Sequence, residues 1–303
     1  MFQPDLLKGK RILVTGGGTG LGRSMAQRYL ELGANVVICG RREDVLKQTA
    51  EELAKATGGE IETVGCDVRV ADAVEAMMDE IWAKRPLDIL VNNAAGQILA
   101  QTNKMSTRAI DSVLGIVLHG SAYCTVAAGR RWIDAGLRDR VVMSILTVSS
   151  LMGAPFTVPS AMAKAGVLAM TRSFAVEWGP KGIRTCAIVP GPFPTEGAWS
   201  RLMPKERGGN DELIKTVPLR RVGKHEELAN LAAFLVSDGA AYINGDAIVI
   251  DGGKMLQSGG GGASTQAMIE STSRMKPRTM ARSPETSITA ISMTSRRVIG
   301  MLC

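Results

Sequence analysis

Short, nearly unbroken apolar runs alternate along the chain with longer stretches in which apolar residues recur every three or four positions. The first pattern reads as strands buried on both faces, the second as amphipathic helices that cover them. The runs are RILVTG (11–16), NVVICG (35–40), IETVGCDV (61–68), LDILVNNAAG (87–96), RVVMSILTVSS (140–150), GIRTCAIVPGP (182–192) and AIVIDGG (247–253). Helical patterns fill 21–34, 42–56, 70–84, 158–178 and 225–237, and 106–134 holds one long helix or two. This alternation predicts an α/β fold, a doubly wound parallel sheet of about seven strands with helices on both faces. Residues 195–222, rich in Pro, Gly and charge, interrupt the rhythm and read as a substrate-covering insertion.

Composition changes this picture at one place. The net charge is +7, yet from Ser258 onward there are six Lys/Arg against two acids, so residues 1–257 carry only +3. That last stretch has no aromatic residue and no sustained period, and reads as a disordered tail on a single domain spanning 1–257. A basic interaction arm, or a stretch foreign to the fold through a shifted reading frame, are the alternatives. The body has no basic stripe with interleaved aromatics, so no nucleic-acid partner is expected. Five cysteines (39, 66, 124, 186, 303) show no CxxC pairing, and His119 and His225 are the only histidines. We therefore expect reduced core thiols and no metal site. No apolar run approaches the ~20 residues that span a bilayer, and with the first strand beginning near Lys10 no leader is expected. A cytoplasmic protein is the expectation.

The chemistry-bearing motifs follow the strands. TGGGTGLG (15–22) lies between the first strand and the first helix. Glycines there permit a tight turn and let backbone approach a pyrophosphate at a helix N-terminus. In this strand–turn–helix setting Gly16, Gly18, Thr19, Gly20, Leu21 and Gly22 become candidates for dinucleotide binding on a Rossmann-type fold. The second strand ends Gly40-Arg41-Arg42, where an NAD site usually offers a carboxylate to the ribose. Arg41 can instead pair with a 2′-phosphate, so NADP(H) is the expected cofactor. Asp67, with Val68 beside it, suits adenine recognition, or is a plain strand-end acid. Asn92, Asn93, Ala94 and Gly96 let backbone approach the nicotinamide side.

The stretch SILTVSSLMGAPFTVPSAMAK (144–164) runs from strand to helix and carries Thr147, Ser149, Ser160 and Lys164. Ser160 and Lys164, four apart, share a helix face. With TGGGTGLG, CDV, NNAAG and VPGP in this order, the chain over about residues 8–257 resembles the short-chain dehydrogenase/reductase family. AGVLAMTRSFAVEWGPKGIR, PGPFPTEGAWSRL, RVGKHEELANLAAFLVSD and YINGDAIVIDGG are similar to its 2,4-dienoyl-CoA reductase branch. The resemblance implies a homotetramer that binds NADPH through the glycine loop, Arg41, Asp67, Lys164 and Pro190, Gly191 and Phe193. It places Arg69, Ser106 and Arg201 where that branch contacts acyl-CoA, and puts Gln97, with Ile98 next to it, where the branch has an asparagine.

The family's Tyr-x-x-x-Lys is Ser160-Ala-Met-Ala-Lys164 here, and Ser149 stands where the branch keeps its tyrosine. His119 replaces the family's helical asparagine. Lys164 can hold the nicotinamide ribose and supply positive charge, and Ser149, Thr147 and Ser160 are candidate donors to a thioester oxygen. A serine is a weak general acid, but a thioester dienolate is far less basic than an alkoxide. This favours an NADPH-dependent reductase of unsaturated acyl thioesters. The alternatives are a general carbonyl/alcohol oxidoreductase or a silent NADP-binding protein. For His119 and Tyr123, core packing is the expected role.

Overall fold

The computed structural model describes residues 2–195 and 213–259. Arg201, most of the expected insertion and the tail beyond residue 259 lie outside these. Seven parallel strands form one sheet: β1 (Arg11–Thr15), β2 (Asn35–Gly40), β3 (Ile61–Gly65), β4 (Ile89–Asn92), β5 (Arg140–Ile145), β6 (Ile183–Pro190) and β7 (Ala247–Ile250). Their order is β3-β2-β1-β4-β5-β6-β7, so the connection reverses direction between β1 and β4. Cα partners such as Val14↔Val91 and Asn92↔Ser144 bring the carboxyl ends of β1, β4 and β5 level.

The helices are α1 (Gly20–Glu31), α2 (Glu43–Thr57), α3 (Ala71–Lys84), α4 (Thr107–Asp134), α5 (Ser149–Met152), α6 (Val158–Trp178), α7 (His225–Val236) and α8 (Lys254–Gly259). Strand residues alternate between the two faces, so Ile12, Val14, Val36 and Ile38 join one core with Met25, Tyr29 and Leu228. Leu13, Val37 and Cys39 join the other with Met78, Cys124 and Trp132. Each core fills the space under its own helical layer, which is why the strands are apolar at successive positions. Cys39, Cys66, Cys124 and Cys186 are free, buried thiols.

Several strands are shorter than the apolar runs that predict them. β5 stops at Ile145 rather than running to residue 150, and Ser149 opens a one-turn helix. β3 and β4 are likewise shorter than their apolar runs. In each of the three strands, pairing ends with the ladder of its neighbours while apolar side chains continue into the turn. α4 is continuous but contains a π turn, Gly115–His119. It is also long and apolar enough to cross a membrane, with a mean hydropathy of 1.4 over its best window, and half of that window is buried in this fold. Its apolar composition serves the second core, where Cys124, Ala127, Ala128 and Trp132 are fully covered.

The amino ends of the strands are closed by charge. Arg11 is buried, with Nη2 on Glu62 at 2.7 Å and Nη1 on Ile81 O at 2.7 Å and on Arg85 O. Asp88 accepts from Arg11 N at 2.7 Å and pairs with Arg140 at 2.9 Å. Lys84 reaches Glu62 at 2.8 Å, and these cations hold the Glu62 carboxyl below the ordinary range despite its partial burial.

Candidate active site

The crevice lies beyond the carboxyl ends of β1 and β4, where the strand order reverses, the usual place for a ligand in an open α/β sheet. Gly16 leaves β1 with φ +65°, and a Cβ there would lie 3.0 Å from Ala94 Cα. A Cβ on Gly22 would meet Gly16 O at 2.4 Å. Both positions therefore require glycine so that α1 can start directly against the end of β4. Asn93 seals the contact: its Nδ2 donates to Thr15 O at 2.9 Å and Gly16 O at 3.1 Å. Thr15 Oγ1 accepts from Asn93 N and Ala94 N, each at 3.0 Å. Thr15 went unremarked in the sequence, although a hydroxyl just before a glycine loop is the signal that marks it.

Thr19 is the N-cap of α1 in extended backbone, and its side chain makes no capping hydrogen bond. The first amides of α1 and the cradle of Gly16, Gly18 and Gly20 thus form a side-chain-free pocket at the positive end of a helix, which fits a dinucleotide pyrophosphate. Leu21 packs against the core behind it. Gly40 ends β2, and Arg41 is exposed just beyond it.

The turn after β3 is more committed than its sequence suggests. Arg69 Nε donates to both Asp67 oxygens at 2.9 and 3.0 Å, and Nη2 adds a contact at 2.5 Å. These bonds lower the Asp67 carboxyl below the usual range, aided by Arg41. The Arg69 stem passes over Gly115 in the π turn, 3.6 Å from where a Cβ would sit. Val68 fills the space left by Gly120. Ser106 is the N-cap of α4 and accepts from Ala109 N at 3.2 Å. Arg69 and Ser106, expected to face acyl-CoA, therefore both hold partners within the chain.

Lys164 lies in the second turn of α6 and is buried, its Nζ donating to Ile145 O at the end of β5. Burial alone pushes its ammonium down to about 8. The hydroxyls around it divide into two kinds. Ser150 Oγ donates to Thr147 O at 2.6 Å and is spent on the turn. Thr147, Ser149 and Ser160 are half-buried, and among the described residues their hydroxyls have no partner. Gln97 is exposed and Ile98 packs beside Val113, Val117 and Ala163. Gly96 lies close to Ile116, and Ala100 N donates to Phe156 O at 3.0 Å, tying this segment to the loop before α6. His119 and Tyr123 face one another with ring centroids 6.0 Å apart, and Tyr123 packs on the second core.

Across the crevice Gly191 N donates to Ile250 O at 2.9 Å, and its missing Cβ leaves room for Asp251. Phe193 is buried with its ring against Gly223. The segment from Pro190 to Thr195 returns to the glycine loop, where Thr195 Cγ2 would be 3.2 Å from a Cβ on Gly20.

Residues 16–254 match the model of a family described as Enoyl-(Acyl carrier protein) reductase. The probable 2,4-dienoyl-CoA reductase 3, (3E)-enoyl-CoA-producing, of Caenorhabditis elegans is 45% identical over 258 residues, 84% of this chain and 83% of that one. The probable 2,4-dienoyl-CoA reductase of Bacillus subtilis (strain 168), (2E)-enoyl-CoA-producing, is 42% identical over 249 residues, covering 82% and 97%. A crystal structure of a short chain dehydrogenase from Bacillus anthracis superposes with a TM-score of 0.76 at 40% identity, covering 82% and 97%. With the reversed strand order, the glycine cradle and the buried helical lysine already in place, these matches mean that the chain belongs to the short-chain dehydrogenase/reductase family of oxidoreductases.

Proposed function

We propose that the protein is an NADPH-dependent reductase of unsaturated acyl thioesters, with 2,4-dienoyl-CoA as its substrate class. The observation that carries this reading is the surface beside the three unpaired hydroxyls. Leu151 and Met152 follow Ser149 in the same short helix and stay exposed, as do Phe156 and Leu99 on the two segments joined at Ala100. An apolar rim next to hydrogen-bond donors and a buried cation suits an acyl chain that ends in a polar thioester. Relatives described as 2,4-dienoyl-CoA reductases support the same substrate class.

Arg41, with no carboxylate at Gly40, supports NADPH over NADH. NADPH held at the glycine loop would supply the hydride for the distal carbon of the diene. Charge then gathers on the thioester oxygen as a dienolate. Lys164 offers positive charge to that oxygen, and Ser149, Thr147 and Ser160 offer hydrogen bonds without surrendering a proton. Gln97 is a further donor at the rim. Protonation of the dienolate by solvent water at C2 would leave a 3-enoyl product, and at C4 a 2-enoyl product. An alkoxide from ketone reduction would need a stronger acid than these hydroxyls supply. Asp67 serves adenine, and Asn93, Ala94, Gly191 and Phe193 line the nicotinamide end.

The test is NADPH oxidation followed at its nicotinamide absorbance with a 2,4-dienoyl-CoA, alongside ketones, aldehydes and alcohols. Dienoyl turnover, with the product double bond located by mass spectrometry, is expected. Ketone reduction without dienoyl turnover would sink the reading and leave the carbonyl oxidoreductase. The same reading makes the protein a homotetramer, for which the exposed Val126, Val176 and Tyr242 offer apolar contact surface. Light scattering gives its mass.

A further inference from the structure

His225 is the first residue of α7, and its ring joins three elements. Nδ1 lies 3.1 Å from Ser24 Oγ in α1, and Nε2 contacts Pro194 O in the segment after β6. Ser24 Oγ also donates to O of Gly20, in the glycine loop at the start of α1, at 3.1 Å. A carbonyl only accepts, so Nε2 carries the proton and Nδ1 turns to the serine hydroxyl. The ring thus joins Pro194 on one wall of the cofactor crevice to Ser24 on the other, with Nδ1 and Gly20 O competing for the single Ser24 hydroxyl proton. Two more contacts hold the same segment. Gly223 N donates to Pro192 O at 2.9 Å, and Thr195 lies against Gly20.

From this geometry we infer that His225 is a positioning residue for the dinucleotide pyrophosphate. Its ring sets the spacing between the first turn of α1, whose amides face the phosphates, and the Pro190–Thr195 segment opposite. His225 touches no reacting atom. It acts through Ser24 and Pro194, by holding both walls at the separation the phosphates require before any ligand arrives. Glutamine can present one donor and one acceptor from a side chain of similar reach, whereas alanine breaks both links. The inference rests on dinucleotide binding by the family and not on the acyl-thioester reading.

Fluorescence titration with NADPH and NADH tests it on the full chain, comparing wild type with His225→Ala, His225→Gln and Ser24→Ala. Two neutral hydrogen bonds lost from a preorganised site correspond to about a tenfold weaker dinucleotide. His225→Ala should show that loss, His225→Gln should recover to within about threefold, and Ser24→Ala should fall between them. In steady-state assays, KM for the dinucleotide should rise while kcat with the same substrate stays near wild type. Wild-type affinity in His225→Ala would overturn the inference. So would equal losses in the Ala and Gln variants that track a shared drop in melting temperature, because that marks packing alone. Failure of the wild-type chain to bind either dinucleotide would overturn it together with the cofactor assignment.

Discussion

Arg11 and Lys164 are both buried cations on the same sheet, one at the amino end of β1 and the other touching the carboxyl end of β5. Arg11 is answered by a carboxylate and two carbonyls, within a cluster that also binds Lys84, Asp88 and Arg140. Lys164 has one carbonyl, and its ammonium is weakened by burial. The amino end spends its charges on holding the fold together. The carboxyl end leaves a cation and three hydroxyls under-committed, at a cost in stability, which makes them available to a ligand.

The contrast is broken most directly at Arg11. Arg11→Met should cost about 3 kcal/mol by leaving two carbonyls and Glu62 poorly satisfied, read by urea denaturation, with dinucleotide affinity unchanged. A loss under about 1 kcal/mol would mean that the cluster is ornamental.

Lys164→Met should do the opposite. Reductase turnover should fall by about a hundredfold or more, while stability near neutral pH holds or rises. The pH dependence sharpens this. Free lysine titrates near 10.5 and folded Lys164 near 8, so between these values the unfolded chain binds a proton that the folded chain has released. Stability attributable to this residue therefore rises with pH across that window, is complete above it and is gone below about pH 8. Melting curves of wild type minus Lys164→Met should show that slope, and a flat difference would contradict it. Turnover that depends on the ammonium should decline above about pH 8.

Smaller effects probe the rest of the carboxyl end. Arg41→Ala should weaken NADPH about tenfold and leave NADH nearly unchanged; equal losses would remove the 2′-phosphate assignment. Ser149→Tyr should raise reductase turnover several-fold by supplying a more acidic hydroxyl. Lost binding instead would show that the pocket is shaped around serine.

The contrast also marks how far the residues alone could be read. Periodicity located all seven strands and the main helices because each is a local pattern facing a local layer. The glycine loop was legible because Gly16 and Gly22 answer steric demands that any strand–turn–helix of this kind makes. Ser149 was misplaced into a strand because apolar and β-branched residues continue past the last ladder bond, from Leu146 N to Ile188 O. Arg69 is two residues from Asp67, yet sequence could not say that its guanidinium would turn back upon it.

The amino-acid sequence by itself determined the sheet, the dinucleotide end of the crevice and a lysine one turn inside a helix. These follow from short-range periodicity and backbone sterics. Only the tertiary structure decided which polar groups are spent and which remain free. Ser150 is consumed by Thr147 O while Ser149 is not, and His225 meets Ser24 and Pro194 from 201 and 31 residues away. A hydrogen bond depends on angstrom-scale placement of both partners. That placement exists only once the strands have paired and the helices have docked.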